Sequence, residues 1–408
     1  MADNSMELTD FLRKAVGGGN TDFLREGVRV LSQALMELEV SEQIGAGRHE
    51  RSADRTTHRN GYRDRTWDTA AGAIELKIPK VREGSYMPSL IEPRRRIDRA
   101  MLSVIQEAWI HGVSTRKVDD IVTALGMTGV SKSSVSRICV ELDEVVSDFL
   151  SRPLMCAYPY VWLDATYLKC RDGSRVSSVA AVVAIGVTAA GEREVLGLDI
   201  GSSEDGAFWT EFLRGLVTRG LTGVELVISD AHVGLKAAIP AVLSGASWQR
   251  CRVHFMRNAL VHVPKGDQHM VAAAIRTIFA APDIEEARTQ LRFIADGLAK
   301  RYPKVTGLLL DAEDDVIAHM AFPREHWTKI ASTNSLERVN KEVKRRTDVV
   351  GIFPNRASAL RLTGCVLLEQ HDEWAVGRRY IGMESMARIG NPVSETEVVL
   401  QALLAPVK

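Results

Sequence analysis

Three things are scarce in this 408-residue sequence: cysteine, long apolar runs and net charge. The five cysteines are odd in number and scattered, which predicts reduced thiols in a cytosolic protein rather than a disulfide framework. No secretory signal precedes the first predicted helix, and the longest apolar run, Val179 to Val187, is too short to span a membrane. These absences predict a soluble intracellular protein.

Net charge is absent because 52 basic and 52 acidic residues cancel. The whole chain therefore has no overall attraction for a polyanion, and any nucleic-acid interface has to come from local charge. The segment before Gly45 is acidic, whereas residues 45–100 are basic and include the run Arg94-Arg95-Arg96. Such residues either contact DNA phosphates or form an ordinary solvated face, with arginine stems lying over apolar atoms.

The first modules are predicted from periodicity. Residues 1–44 form a helical segment, because apolar residues recur at spacings of three and four between Leu24 and Leu38. Residues 45–96 form a small basic β-rich module that is a candidate DNA-binding element. In it, Asn60-Gly61 predicts a tight turn and residues 73–79 alternate with a period of two.

Residues 97–155 are predicted to be helical and to contain a helix-turn-helix. A helix over residues 114–125 is followed by a turn at 126–129 and by a second helix. Lys132, Ser133 and Arg137 near the start of that second helix are residue types that reach phosphates and base edges. Helix pairs with this spacing also occur in plain bundles, so the alternative of a purely structural pair stays open.

Residues 156–262 predict an α/β unit. Three strands joined at Asp172-Gly173 and Ala190-Gly191 form an antiparallel meander, and then helix, strand, helix and strand follow. This order is that of a ribonuclease H-like fold, in which a mixed sheet presents acids from neighbouring strands. The chain is then helical to about residue 320, and a basic helix begins after Ser332-Thr333-Asn334.

Three acidic residues lie at positions where they could bind metal ions. Asp164 lies within the apolar run 160–168, Asp230 ends the strand predicted at 224–230, and Glu337 lies in the first turns of the basic helix. Burying a lone carboxylate costs several kcal/mol unless a partner such as a divalent metal compensates. Three carboxylates can hold two Mg²⁺ or Mn²⁺ ions about 4 Å apart for phosphoryl transfer. The alternatives are a solvent-facing or arginine-paired aspartate, and a glutamate favoured by the helix dipole.

Further candidates surround these acids. Lys341, Lys344 and Arg345 belong to the basic run after Glu337, and the two lysines lie on roughly its face of the helix, within reach of substrate phosphates. Cys251 and His254 form a CxxH pair, which would be half of a zinc site. His262 and His269 could supply further ligands and keep the zinc site open. The other interpretation of Cys251 and His254 is a buried, hydrogen-bonded structural pair beside the active site.

Four ordered motifs carry a family resemblance that spans about residues 8–380. They are Val161–Tyr167 around Asp164, Leu226–Leu235 around Asp230, Gln249–Asn258 with its CxxH pair, and Thr333–Arg338 with Lys344 seven residues beyond the acid. In these motifs the chain resembles the mutator-type family of bacterial insertion-sequence transposases, a branch of the DDE transposases. One departure is Ala231, where the family usually has glycine after the second aspartate.

The resemblance implies roles for these positions. Asp164, Asp230 and Glu337 would be the metal-binding catalytic acids, with two Mg²⁺ ions (or Mn²⁺) as cofactors, and Arg338 and Lys344 would support the acid and the DNA strand. Residues 263–326 would be the family's all-α insertion between two parts of a ribonuclease H-like domain, 156–262 and 327–390, with 391–408 as a tail. Trp327 would stack near a flipped or terminal base, unless it is a core tryptophan.

The sequence thus predicts a bacterial, cytoplasmic DNA transposase with no membrane partner. It would bind the terminal inverted repeats of an insertion sequence and target DNA, and would catalyse metal-dependent cleavage and strand transfer. A second copy of the chain is expected, because two element ends must be brought together. The alternatives are a metal-dependent nuclease or resolvase of the same fold, and a catalytically idle transposase-derived regulator that binds DNA.

Overall fold

The computed structural model describes much of the chain, with gaps: residues 21–47, 50, 52, 55–69, 72–84, 86, 88, 100, 101, 103–105, 132–173 and 175–390. Contacts divide the chain into two units, Met1–Arg96 with His371–Arg378, and Ile97–Gln370 with Arg379–Lys408. The turn predicted for the helix-turn-helix and the run Arg94–Arg96 lie outside the described residues. Within the described part, no helix has the length and apolarity needed to span a membrane.

The first unit is built on a helix and a hairpin. Helix α1 (Thr21–Ile44) packs on strands β1 (Arg59–Thr69) and β2 (Gly72–Val81), which pair antiparallel. Alternate residues of β2 and one stripe of α1 point into a common core, as their apolar spacing predicts. The fully buried members of that core are Met36, Val40, Ile44, Leu76 and Ile78.

The turn predicted at Asn60-Gly61 is wrong. Both residues lie within β1, where the register shifts between Arg59 and Tyr62 and Gly61 takes a φ of +76°. The strand pairing continues to Thr69 opposite Gly72, so the chain reverses after Thr69. An Asn-Gly pair supplies a positive φ as readily in a β-bulge as in a hairpin turn, and only the pairing partner distinguishes the two.

Some of the basic residues of this unit form ion pairs within it. Arg59 forms an ion pair with Glu37 at 2.6 Å, and Arg65 forms one with Asp372 at 2.5 Å. The two arginine side chains are only 18% and 14% exposed. These two residues therefore do not belong to the solvated basic face expected from the sequence.

The second unit contains α2, which is followed by a five-stranded mixed sheet and its helices. In chain order the elements are α2 (Lys132–Ser151), β3 (Tyr160–Asp172), β4 (Arg175–Val187), β5 (Arg193–Gly201), α3 (Gly206–Thr218), β6 (Leu226–Ser229), α4 (Val233–Val242), β7 (Ser247–Arg250), α5 (Arg252–Leu260), α6 (Gln268–Ile278), α7 (Ile284–Ala299), α8 (Pro303–Asp311), α9 (Glu313–Ile317), 3₁₀ turns at Ala318–Ala321 and Arg324–His326, α10 (Trp327–Ile330), α11 (Asn334–Val350), α12 (Arg356–Val376) and α13 (Met383–Met386). The last residues of α12 belong to the first unit.

The strand order of the sheet is β5-β4-β3-β6-β7. Strands β3, β4 and β5 pair antiparallel, which confirms the predicted meander, and β6 and β7 run parallel to β3. Short turns join the antiparallel strands, whereas α3 and α4 make the longer connections that parallel strands need. The described second unit is therefore a mixed α/β structure.

The two faces of the sheet have different partners. Val161 and Leu163 of β3 point into a core shared with α3 and α4, whose largest member is the fully buried Trp209. On the opposite face, Tyr160 lies edge-on to Phe322 and hydrogen-bonds to Nδ1 of His326 at 2.7 Å. Trp162, two residues on, donates to the Ser332 carbonyl at 3.1 Å. This alternation follows from the period of two in a strand.

Helices α5 to α9 have a core of their own. Phe255, Val271, Leu291, Val305 and Val316, one from each helix, are fully buried in one cluster. A polar contact joins this cluster to the sheet: buried Gln249 of β7 donates to the Val316 carbonyl at 3.0 Å and accepts from the backbone N–H of His319 at 2.8 Å.

We expect Gly191→Ala to destabilise the protein by about 2–3 kcal/mol. Gly191 has a φ of +79°, and a Cβ atom there would lie 1.9 Å from the Ile381 carbonyl oxygen. Gly215→Ala in α3 is the matched control, because a Cβ there meets nothing within 4 Å and alanine favours a helix. Urea unfolding of both variants measures the difference, and equal stabilities would contradict this account of the turn.

We expect acid to destabilise the second unit through His319. Burial, and then nearby Arg252, lower the pKa of His319 to about 3, whereas an unfolded histidine has a pKa near 6.5. Between these values only the unfolded chain takes up the proton, so the free energy of unfolding falls as the pH drops below about 6.5, by up to about 1.4 kcal/mol per pH unit. His319→Gln should flatten this slope in unfolding measurements between pH 7 and 4. An unchanged slope would show that His319 does not contribute.

Candidate active site

Asp164 and Asp230 lie on neighbouring parallel strands. Strand β3 pairs with β6 in the register Trp162 opposite Ile228, and the same offset places Asp164 beside Asp230, just past the end of β6. Adjacent strands are about 4.8 Å apart, and residues two apart share a face. Both aspartates therefore point to the face occupied by Trp162, away from the core under α3 and α4.

Asp164 is held in a mostly buried position. Its Oδ1 accepts from the backbone N–H of Ala165 at 3.0 Å, and its Oδ2 accepts from the side chain of Asn340 at 2.8 Å. Burial raises the pKa of Asp164 to about 6, while those two hydrogen bonds and His254 pull it down and the neighbouring Asp230 adds to the rise. A nearby positive charge would stabilise the ionised form of a carboxylate in this environment.

The other two acids lie on either side of one imidazole ring. Nδ1 of His254 is 3.9 Å from Asp230, and Nε2 is 3.7 Å from Glu337. The pKa of His254 is raised to about 9, first by its hydrogen bond with Cys251 and then by the negative charges of Cys251, Asp230 and Glu337. Glu337, in the first turn of α11, thus lies near Asp230, with the imidazole ring of His254 between the two carboxylates.

Thr333 connects the CxxH pair to Glu337. Its hydroxyl lies 3.3 Å from the Cys251 sulfur and 3.3 Å from Oε1 of Glu337, and its backbone N–H is 3.4 Å from the same sulfur. Burial raises the pKa of Cys251, but the hydrogen bonds from His254 and Thr333 outweigh it, so the pKa lies below its usual value.

The ligand atoms of Cys251, His254 and Glu337 lie within 4.8 Å of one another, and this is the one such group among the described residues. His262 and His269, the two residues that kept a zinc site open, are exposed and do not belong to it. The hydrogen bonds of Thr333 to the sulfur favour the interpretation of a hydrogen-bonded structural pair beside the acids.

A cavity of about 580 Å³ contains all three acids. Its lining residues are Asp164, Ala165, Thr166, Tyr167, Glu204, Asp230, Ala231, His232, His254, Glu337, Asn340, Lys341 and Lys344. Lys341 and Lys344 are exposed on the same face of α11 as Glu337, as the helical spacing predicts. The cavity therefore combines a carboxylate cluster with the exposed ammonium groups of Lys341 and Lys344.

The other candidate DNA-binding residues do not line the cavity or lie outside the described residues. Arg338 is exposed but does not line the cavity, and Arg345 is held by Glu342 at 2.6 Å on its own helix. The side chains of Lys132, Ser133 and Arg137 in α2 lie outside the described residues.

Trp327 packs against the core of helices α5 to α9. Its indole N–H donates to the Phe322 carbonyl at 2.8 Å, and its ring lies edge-on to His319 with the ring centroids 5.8 Å apart. It is half-buried and does not line the cavity. Base stacking by this residue stays a prediction, and its contacts are those of a packed tryptophan.

Sequence reasoning missed two parts of this site. Asn340 lies three residues after Glu337 and so shares its helix face, a spacing that could have found it. Glu204 follows β5 in the loop 202–205, and its carboxylate accepts from Tyr167 at 2.9 Å and lies 3.8 Å from His232. No local pattern marks Glu204, because its relation to the cavity exists only in the folded sheet.

Fold and site together define an α/β protein with a carboxylate-lined cavity at the ends of parallel strands. A family model described as "Transposase, Mutator family" matches residues 2–377. The chain belongs to the Mutator family of transposases.

Relatives agree along most of the chain. The transposase for insertion sequence element IS1081 of Mycobacterium tuberculosis is 46% identical over 400 residues, covering 97% of this chain and 95% of that protein. The transposase for ISRM5 of Rhizobium meliloti is 39% identical, covering 90% and 92%. The transposase for IS256 in Tn4001 of Staphylococcus aureus is 41% identical, covering 86% and 90%. A solved structure, NurA with manganese, covers 67% of this chain and 74% of its own at 14% identity, but its TM-score of 0.11 carries no argument.

We expect Asn340→Ala to lower transposition by about 10- to 100-fold, because Asp164 loses the donor that fixes its rotamer and small misplacements are costly. The measurement is the frequency of transposition in cells, with protein levels and circular dichroism compared. Asn258→Ala is the matched control, since Asn258 is exposed on α5 and does not line the cavity. Equal frequencies for the two variants would show that Asp164 does not need Asn340.

Proposed function

We propose that this chain is the DNA transposase of an insertion sequence, binding its terminal inverted repeats and catalysing metal-dependent cleavage and strand transfer. The observation that supports this most is the convergence of Asp164, Asp230 and Glu337, from two strands and a distant helix, on one cavity. We also propose that the sheet, ordered β5-β4-β3-β6-β7, is a ribonuclease H-like core.

The donor set suits Mg²⁺ or Mn²⁺. Hard carboxylate oxygens on a rigid sheet are the preferred ligands of these ions, and the raised pKa of Asp164 reflects a buried negative charge that a cation would stabilise. Asp164, Asp230 and Glu337 would hold two ions. When bound, such ions activate an attacking oxygen and stabilise the leaving oxygen of a phosphodiester.

The chain's own residues position the reaction. Asn340 and the Ala165 N–H fix the carboxylate of Asp164, and Thr333 and His254 fix that of Glu337. Lys341 and Lys344 would bind DNA phosphates at the edge of the cavity and offset repulsion by the acids. In-line phosphoryl transfer depends on such positioning more than on a nucleophilic side chain.

DNA ends and target DNA are the proposed partners, together with a second copy of the chain. Transposition joins two ends, and a symmetric assembly of two copies would hold one end each. The basic segment 45–96 and the predicted helix-turn-helix would bind the ends.

We expect Asp164→Asn and Glu337→Gln each to reduce strand transfer by at least about 1,000-fold, because either change weakens metal binding at the reacting phosphate. The substrate is a pre-cleaved duplex carrying the terminal repeat, taken from the DNA that flanks the gene, with a plasmid target and Mg²⁺. Asp348→Asn is the control, since Asp348 is exposed on the same helix as Glu337 and does not line the cavity.

End binding by both variants should stay close to that of the wild type. A wild-type protein that cuts ends but never joins them would support the nuclease alternative. A protein that binds ends but does neither would support the regulator, and strand transfer insensitive to both substitutions would refute the catalytic assignment.

A further inference from the structure

The cavity extends around an open strand edge. Strand β3 pairs with β6 over Tyr160–Trp162 only, whereas β3 itself continues to Asp172. Residues 164–167 therefore line the cavity along the edge that β6 leaves uncovered. Asp164 points to the face of α11, and Tyr167, at odd spacing from it, points to the opposite face.

Tyr167 is an exposed aromatic side chain held in a fixed orientation. It is 56% exposed, although it lies within a paired strand. Its hydroxyl donates to Oε2 of Glu204 at 2.9 Å, and the side chain of Glu204 is itself only 13% exposed. The hydroxyl is thus occupied while the ring stays accessible to the cavity.

This arrangement suits a flat apolar ligand beside a phosphate. An anchored ring loses little side-chain freedom when a ligand stacks on it, so binding costs less. The two sides of the cavity differ in chemistry. The α11 side carries acids and the ammonium groups of Lys341 and Lys344, and the other side carries the aromatic ring of Tyr167. A nucleotide offers the same pair of groups, a charged phosphate and a base with a π-face.

We propose that Tyr167 and Glu204 form a nucleobase subsite, in which a base adjoining the reacting phosphate stacks on the ring of Tyr167 while Glu204 fixes that ring. The inference rests on the proposed function, because it places DNA in the cavity. Stacking is tolerant of base identity, so the subsite positions the strand without reading its sequence. Tyr167 is the aromatic residue that lines the cavity in the described structure, whereas the ring of Trp327 packs on the core of helices α5 to α9.

The first test places 2-aminopurine, in turn, at each nucleotide flanking the cleavage position of a pre-cleaved terminal-repeat duplex, without target DNA. Stacking on an aromatic ring quenches its fluorescence. We expect quenching beyond that of the free duplex at one position with the wild type and with Tyr167→Phe, and its loss with Tyr167→Leu. Equal quenching by Tyr167→Leu would overturn the subsite.

The second test asks whether Tyr167 and the base act together. On an intact end, Tyr167→Leu should slow strand transfer about 10- to 100-fold, the range that one stacked base supplies. On an end that is abasic at the quenched position, the same substitution should cost less than about two-fold, because its partner is already gone. Multiplied losses would show independent effects and refute the proposal. Phe293→Leu, 72% exposed on α7 and outside the cavity, is the control and should leave both rates unchanged.

A double-mutant cycle tests the role of Glu204. Tyr167→Phe and Glu204→Ala each keep a ring and remove its anchor, so each should slow strand transfer by about two- to ten-fold, and the double variant no further. Independent losses would refute the anchoring role even if Tyr167→Leu fails to fold. A wild-type protein that neither binds nor joins ends would refute the proposed function itself. An active wild type without quenching would refute only the subsite.

Discussion

The short parallel pairing between β3 and β6 is the constraint on which the rest of the site depends. Three residue pairs, from Tyr160 opposite Leu226 to Trp162 opposite Ile228, fix the offset between the strands. Because the offset is fixed, Asp164 and Asp230 lie side by side on one face. Because the pairing is short, the edge of β3 is open at residues 164–167, before Phe353 pairs with Cys170, and there it forms a wall of the cavity. The same short strand pairing thus brings the two acids together and leaves them accessible.

The third acid depends on packing rather than on strand register. Helix α11 carries Glu337 near its start and buries Leu336, Val339 and Val343 on its other side. That burial sets the rotation of the helix, and the rotation turns Glu337, Asn340, Lys341 and Lys344 toward the cavity. Hydrogen bonds from Thr333 and Asn340 then restrict the carboxylates themselves. Apolar contacts place the backbone, and polar contacts select the rotamers.

Much of the fold and of the site could be predicted from the sequence, and the predictions that were wrong or missing have physical reasons. The meander and the strands around Asp164 and Asp230 follow from apolar runs and turn residues, which are local signals. Asn60-Gly61 misled because its positive φ serves a bulge as well as a turn. Arg59 and Arg65 were expected on a solvated face, but Arg65 meets Asp372, a partner from the far end of the chain that no local pattern reveals. Glu204 reaches the cavity through tertiary folding alone, and so it was missed.

The separate core of helices α5 to α9 has a consequence for how members of this family are recognised. These helices bury their apolar residues among themselves, and polar contacts such as those of Gln249 with Val316 and of Lys236 with Asp315 join them to the sheet and its helices. Because their core is their own, we expect that their length could change without shifting the strands that carry Asp164 and Asp230. The position of Glu337 in space is set by the packing of α11 and not by the number of residues that separate it from Asp230. A search pattern that anchors each acid to its own strand or helix therefore tolerates insertions between them, whereas a pattern with a constant interval between the two acids does not.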